Sequence, residues 1–190
     1  MKAINFFIYP IFFSIFFLFF ISCNKDSSPD NHVENGNISK VFLPEELLSA
    51  SEATELTGFE VSIDENSLSK DSQLGIISER YIYDINESNT EHALIQIEEN
   101  GFKQADAVKN GSTALHSFES EMNFSKDEIS IVNGLGDQAF TFNNTGQLHM
   151  LYKDYYIISA FDADAYTTDK NAQLNINLGR RILTNLKEKL

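Results

Sequence analysis

Ile129–Phe161 reads ISIVNGLGDQAFTFNNTGQLHMLYKDYYIISAF. Four short apolar alternations lie within it: Ile129 and Ile131; Phe140 and Phe142; Leu148, Met150 and Tyr152; then Tyr155, Ile157 and Phe161. Period-two alternation is the mark of a strand with one face turned to a core. Asn143-Asn144-Thr145-Gly146 and Lys153-Asp154 separate three of these runs, and both are turn-forming. Parallel neighbours need a crossover of about a dozen residues or more, so strands joined this closely pair antiparallel. That decides for α+β over α/β.

The stretches on either side fit the same plan. Pro44 followed by Glu45 and Glu46 starts a helix, with proline early and acids at the positive end of the dipole. Ser49-Ala50-Ser51-Glu52 has the form of a capping box, and Ala53 and Leu56 precede a stop at Gly58. Alternation then returns in Phe59, Val61 and Ile63, in Ile77, Tyr81, Tyr83 and Ile85, and in Ala93, Ile95 and Ile97, with a turn at Asn100-Gly101. Leu115, Phe118 and Met122 make one buried helix face in a stretch broken near Asn110-Gly111. Leu174, Leu178, Ile182 and Leu186 stripe a last helix from about Asn171, with Asp169 placed to cap it. The expected domain is residues 41–190, an antiparallel sheet of about six or seven strands packed with three helices on one or both faces.

The chain has 190 residues and a net charge of −14. Its 42% hydrophobic content is too high for a disordered chain. Acid excess on this scale excludes nucleic acid as a partner, because phosphate tracking needs a basic footprint. The excess is uneven. Residues 23–170 hold 9 basic against 27 acidic residues, whereas residues 171–190 hold four basic against one acidic. Such a surface either keeps the domain soluble or steers in a basic protein partner.

Residues 1–22 hold 8 of the 16 phenylalanines and a single charge, Lys2. The apolar run Ile4–Ile21 ends in Phe20-Ile21-Ser22-Cys23, which reads as a secretory signal. A spanning helix needs about 20 apolar residues, and this run is shorter, contains Pro10, and is followed by Asn24-Lys25-Asp26. Cys23 is the only cysteine, so no disulfide within the chain can occupy it. Small residue, cysteine and apolar run together resemble the lipobox of bacterial lipoproteins, although Phe20 stands where leucine, valine or isoleucine is usual. The resemblance implies cleavage after Ser22 and acyl chains of the palmitate class at Cys23, an anchor without a spanning segment. Lys25-Asp26 is similar to the export signal that follows the lipidated cysteine in Bacteroidota lipoproteins. It implies outer-membrane attachment and display at the cell surface, against a periplasm-facing alternative. Residues 24–40, rich in Asn, Ser, Asp and Gly, then form a tether reaching about 20–25 Å, with His32 on it.

Chemistry is sparse in the folded part. No Gly-x-Ser-x-Gly elbow is present, and His32, His92, His116 and His149 lack metal-ligand spacing. His116 is expected to face solvent and His149 to lie opposite Leu148 and Met150. Asp162, Asp164 and Asp169 miss an EF-hand loop at Tyr166, Thr167 and Gln173. Gly134-Leu135-Gly136-Asp137 leads into a strand rather than a helix and carries no lysine, so it reads as a structural turn and not as a phosphate loop. Tyr81, Tyr83, Tyr152, Tyr155, Tyr156 and Tyr166 are either half-buried strand residues or a ligand platform. No cofactor or metal is called for. Leu56-Thr57-Gly58, Gly134–Asp137 and the Arg180-Arg181 helix resemble small extracytoplasmic sensor-like lipoproteins, mostly actinobacterial, and imply binding rather than catalysis. The expected function is thus a non-catalytic, lipid-anchored envelope protein that binds a protein or small ligand. Its alternatives are an immunity lipoprotein against a basic toxin, an envelope assembly factor, and a polymer hydrolase built on two convergent carboxylates.

Overall fold

The computed structural model describes residues 39–86, 89–101, 103, 105–163 and 166–190. Residues 1–22, expected to be a signal peptide, lie outside the described residues, as do Cys23, Lys25, Asp26, His32, Asp164 and the side chain of His92. No described helix is long and apolar enough to cross a membrane.

Two helices open the domain, α1 (Pro44–Leu47) and α2 (Ala50–Thr57). Ser49 accepts the Glu52 N–H while Glu52 accepts the Ser49 N–H, so the capping box forms, and Gly58 ends α2 in the left-handed region. Then come β1 (Val61–Ile63), β2 (Ser69–Asp71), β3 (Ile76–Asn86) and β4 (Asn89–Glu99). Helices α3 (Ala105–Lys109) and α4 (Ala114–Phe124) precede β5 (Ile129–Ile131), β6 (Gln138–Phe142), β7 (Leu148–Tyr152) and β8 (Tyr155–Ala160). The chain closes in α5 (Thr168–Lys189). All eight strands join one sheet in the order β1-β3-β4-β8-β7-β6-β5, with β2 also on β3, and every pairing is antiparallel. The fold is α+β.

The sheet buries both faces. Tyr81, Tyr83, Ile95, Ile97, Leu148, Met150, Tyr155 and Ile157 point to one side, where α1, α2 and Leu174, Leu178, Ile182 and Leu186 of α5 cover them. Phe140, Leu151 and Tyr156 point to the other, under Ala114 and Phe118 of α4. Phe118 packs 5.3 Å from Phe140 and edge-on to Tyr156 at 5.5 Å, ring geometries that favour the contact beyond its area.

Several expectations change. Strand β2 is extra: Ser69, Lys70 and Asp71 are all exposed and carry no apolar alternation. The face of α4 runs through Ala114, Phe118 and Met122 at a spacing of four, while Leu115 beside them is 44% exposed. Helix α5 starts at Thr168, and Thr167 rather than Asp169 caps it, its hydroxyl accepting the Lys170 N–H. Four of the six tyrosines are more deeply buried than half-buried strand residues. Tyr81, Tyr83, Tyr155 and Tyr156 are buried, and the first three donate to the carbonyls of Leu48, Asp162 and Lys40.

Gly134 and Gly136 both have positive φ, at 75° and 63°. The loop they shape brings Asp137 against the β7–β8 turn, where its carboxylate accepts the Lys153 N–H at 2.7 Å and its own N–H donates to Leu151. A side chain at Gly134 would meet nothing within 4 Å, but a Cβ at Gly136 would lie 2.4 Å from the Leu151 carbonyl oxygen. Gly134→Ala should therefore cost only the left-handed penalty, about 1–2 kcal/mol. Gly136→Ala should cost clearly more, since backbone must move, and thermal unfolding of the pair measures the difference.

Candidate functional site

The largest described cavity, about 540 Å³, opens where α1, the start of α2, β1, the β1–β2 loop and β3 meet. Glu45, Glu65 and Glu79 line it together with Ala50, Val61, Ser62, Ile63 and Leu68. Glu79 is held at its floor. It occupies an inward position of β3, in the series Ile77, Glu79, Tyr81 and Tyr83, and is only 4% exposed. Its Oε2 accepts the Glu45 N–H at 3.0 Å, which fixes the carboxyl beneath α1. Burial raises its pKa, the charge of Glu45 raises it further, and the backbone N–H pulls the other way. Glu45 and Glu65 sit exposed at the rim.

Several other acids have cations. Arg181 of α5 reaches Glu52 at 3.2 Å and Glu55 at 3.9 Å, and Asn185 donates to Glu52 at 2.9 Å. Burial opposes ionisation of Glu52, but bonds from Asn185, Ser49 and Arg181 win and hold its carboxyl at about 2. Arg80 takes Asp64 at 3.5 Å, and Lys103 pairs with buried Glu98. Among the described residues, no cation pairs with Glu45, Glu65 or Glu79. Residues 41–99 hold fourteen acidic residues against two basic, Lys70 and Arg80. Three of those fourteen acids line the cavity.

A second carboxyl, Glu99, lies on the same sheet face but serves the fold. It is fully buried on β4 and accepts the Phe42 N–H through both oxygens, at 3.1 and 3.3 Å. Burial pushes it up to about 8, against the Phe42 N–H and helped by the charge of Glu46.

No family model, curated protein or solved structure matches this chain. What the site can do thus rests on its own chemistry. Three carboxylates without a cation, an apolar wall and a partly wet opening suit an ammonium or guanidinium group on a larger molecule.

The described residues singled out by sequence are not at this cavity. Gly134, Gly136 and Asp137 shape a turn at the other edge of the sheet, between β5 and β6. His116 is exposed, while His149 is buried, stacked 4.8 Å from Phe140, its Nδ1 shared with the Tyr156 hydroxyl and its Nε2 without a partner. Burial pushes the His149 imidazole down to about 4. The two histidines do not meet, and no cluster of potential ligands that could hold a metal occurs among the described residues. Glu45, Glu65 and Glu79 were missed because they come from three separate segments. One signal was present: Glu79 interrupts an otherwise inward-facing apolar series, as Glu99 does after Ile95 and Ile97.

Proposed function

We propose that the chain is a non-catalytic lipoprotein of the cell envelope, anchored through Cys23, whose domain captures a basic partner in the acidic cavity. The observation that carries the reading is the unpaired trio Glu45, Glu65 and Glu79 at the mouth and floor of the largest described cavity. Anchoring supports it, because a tethered receptor meets its partner at high local concentration. A basic toxin captured at the envelope is the specialised form of this role.

The test is titration of the full chain in mild detergent with hexalysine at low salt. Neutralising Glu45→Gln with Glu79→Gln should weaken binding at least about tenfold, the scale of one or two charge-assisted contacts. Affinity should also rise with pH as Glu79 ionises, since its carboxyl sits above the usual range. Equal affinity of the variant and the unaltered chain overturns the cavity as the site. Labelling with an alkyne fatty acid, lost in Cys23→Ala, tests the anchor. Protease shaving of intact cells tests surface display: protection until lysis places the domain in the periplasm.

A further inference from the structure

The cavity adjoins an unpaired sheet edge. Among the described residues, strand β1 is the end of the sheet order, with β3 on one side and no strand on the other. The Asp64 N–H donates to the Arg80 carbonyl, and the register pairs Ser62 with Ile82. In an antiparallel ladder alternate residues turn both backbone groups to the partner and the rest turn theirs away. Asp64 and Ser62 therefore face β3, and Val61 and Ile63 face the open edge. The Val61 N–H is taken by the Thr54 hydroxyl at 3.0 Å. Among the described residues, the Ile63 N–H, the Ile63 carbonyl and the Val61 carbonyl have no hydrogen-bond partner, and Val61, Ser62 and Ile63 all line the acidic cavity.

We infer that the partner binds as an added strand: an extended basic segment of another protein pairs with the free edge of β1 and directs a lysine or arginine onto Glu45 and Glu79. This rests on the reading of the cavity as a site for a basic group, and it names how that group is delivered. Backbone pairing supplies affinity without sequence preference, and side-chain pockets supply the selection.

Charge chooses the occupant. Glu60, Asp64 and Glu65 flank β1 and only Asp64 has a cation, so the edge repels an acidic strand and attracts a basic one more than a neutral one. A second copy of this chain would bring the same acids to the same edge, so pairing of β1 with β1 is opposed. The opposite edge, β5, is flanked by Asp127 and Glu128, which also have no cation among the described residues, but neither of these acids lines a described cavity. At β1 three carboxylates without a cation line one cavity beside the open ladder.

The experiment compares an alternating lysine–valine octapeptide with the same peptide N-methylated at every peptide bond, each titrated into the full chain in mild detergent, with hexalysine alongside. The unmodified octapeptide should bind at least about tenfold more tightly than its methylated form, because the latter has no N–H to give. On binding, the amide signal of Ile63 should shift in a nitrogen–proton spectrum and its exchange with solvent should slow. Equal affinity of the two octapeptides, with loss in Glu45→Gln and Glu79→Gln, overturns strand addition and leaves the acidic cavity standing. Failure of all three peptides to bind overturns both.

Discussion

Replacing Asn175 by leucine should destabilise the domain by about 4 kcal/mol, lowering the melting temperature by about 10–15 °C. Asn175 is fully buried on the inner face of α5, one turn from Leu178. Its Oδ1 accepts the Ser159 hydroxyl at 2.8 Å and the Phe161 N–H at 2.9 Å. Its Nδ2 donates to the Phe161 carbonyl at 2.8 Å and to the Gly146 carbonyl at 3.1 Å. One side chain therefore satisfies the end of β8 and the β6–β7 turn together. Leucine has nearly the same volume, so packing changes little, and the loss isolates buried polar groups left without partners. Asparagine and leucine differ modestly in helix propensity, in leucine's favour. Asn177→Leu controls for that, since Asn177 is half-buried and bonds only Gln173 and Arg180 of its own helix. It should change stability by less than about 0.5 kcal/mol. A loss at Asn175 no larger than at Asn177 would mean that the site relaxes or admits water. Hydrogen exchange at the Phe161 amide separates those two outcomes.

Asn175 also marks where the sequence stops being legible. The stripe Leu174, Leu178, Ile182 and Leu186 could be read from spacing alone, because a helix period depends only on the helix. The role of Asn175 could not, because it depends on where β8 ends and which turn arrives beside it. The same division runs through the fold. Strands β6, β7 and β8 were readable from local alternation and short turns, whereas β2 was not, its side chains facing solvent all along. His149 alternates with Leu148 and Met150, but its burial follows from α4 covering the second face. The candidate site lies wholly on the illegible side: Glu45, Glu65 and Glu79 converge through antiparallel pairing and helix placement, with no fixed spacing between them. An acid at an inward strand position is a local signal, yet Glu79 and Glu99 share it. Only their surroundings tell them apart, since one floors an open cavity and the other holds the chain entering α1.

Glu99→Gln should remove a loss of stability that the unaltered domain suffers as pH rises. In the fold, burial holds the Glu99 carboxyl at about 8, and in the unfolded chain it titrates near its ordinary value of 4.5. Between those values the folded state keeps a proton that the unfolded state has released. The unfolded state binds fewer protons, so stability falls with rising pH by about 1.4 kcal/mol per unit across that window. The stability linked to Glu99 is fully present below about pH 4.5 and is lost as pH climbs towards 8. This is the reverse of a salt-bridged acid such as Glu52, whose stability is present above 4.5 and lost as pH falls to about 2. His149 works in the same direction as Glu52: held near 4 in the fold, it withdraws stability as pH drops below 6.5. The unaltered protein therefore combines opposing arms, and its melting temperature against pH does not isolate Glu99. The difference between Glu99→Gln and the unaltered chain does. Glutamine keeps an oxygen for the Phe42 N–H and cannot ionise, so any fixed penalty from its amide is the same at every pH. Relative to the unaltered chain, the variant should gain about 3 kcal/mol between pH 5 and pH 7.5. Paired urea titrations at the two values measure that gain. A difference that stays constant would mean that Glu99 ionises freely in the fold and that Phe42 is held by a carboxylate.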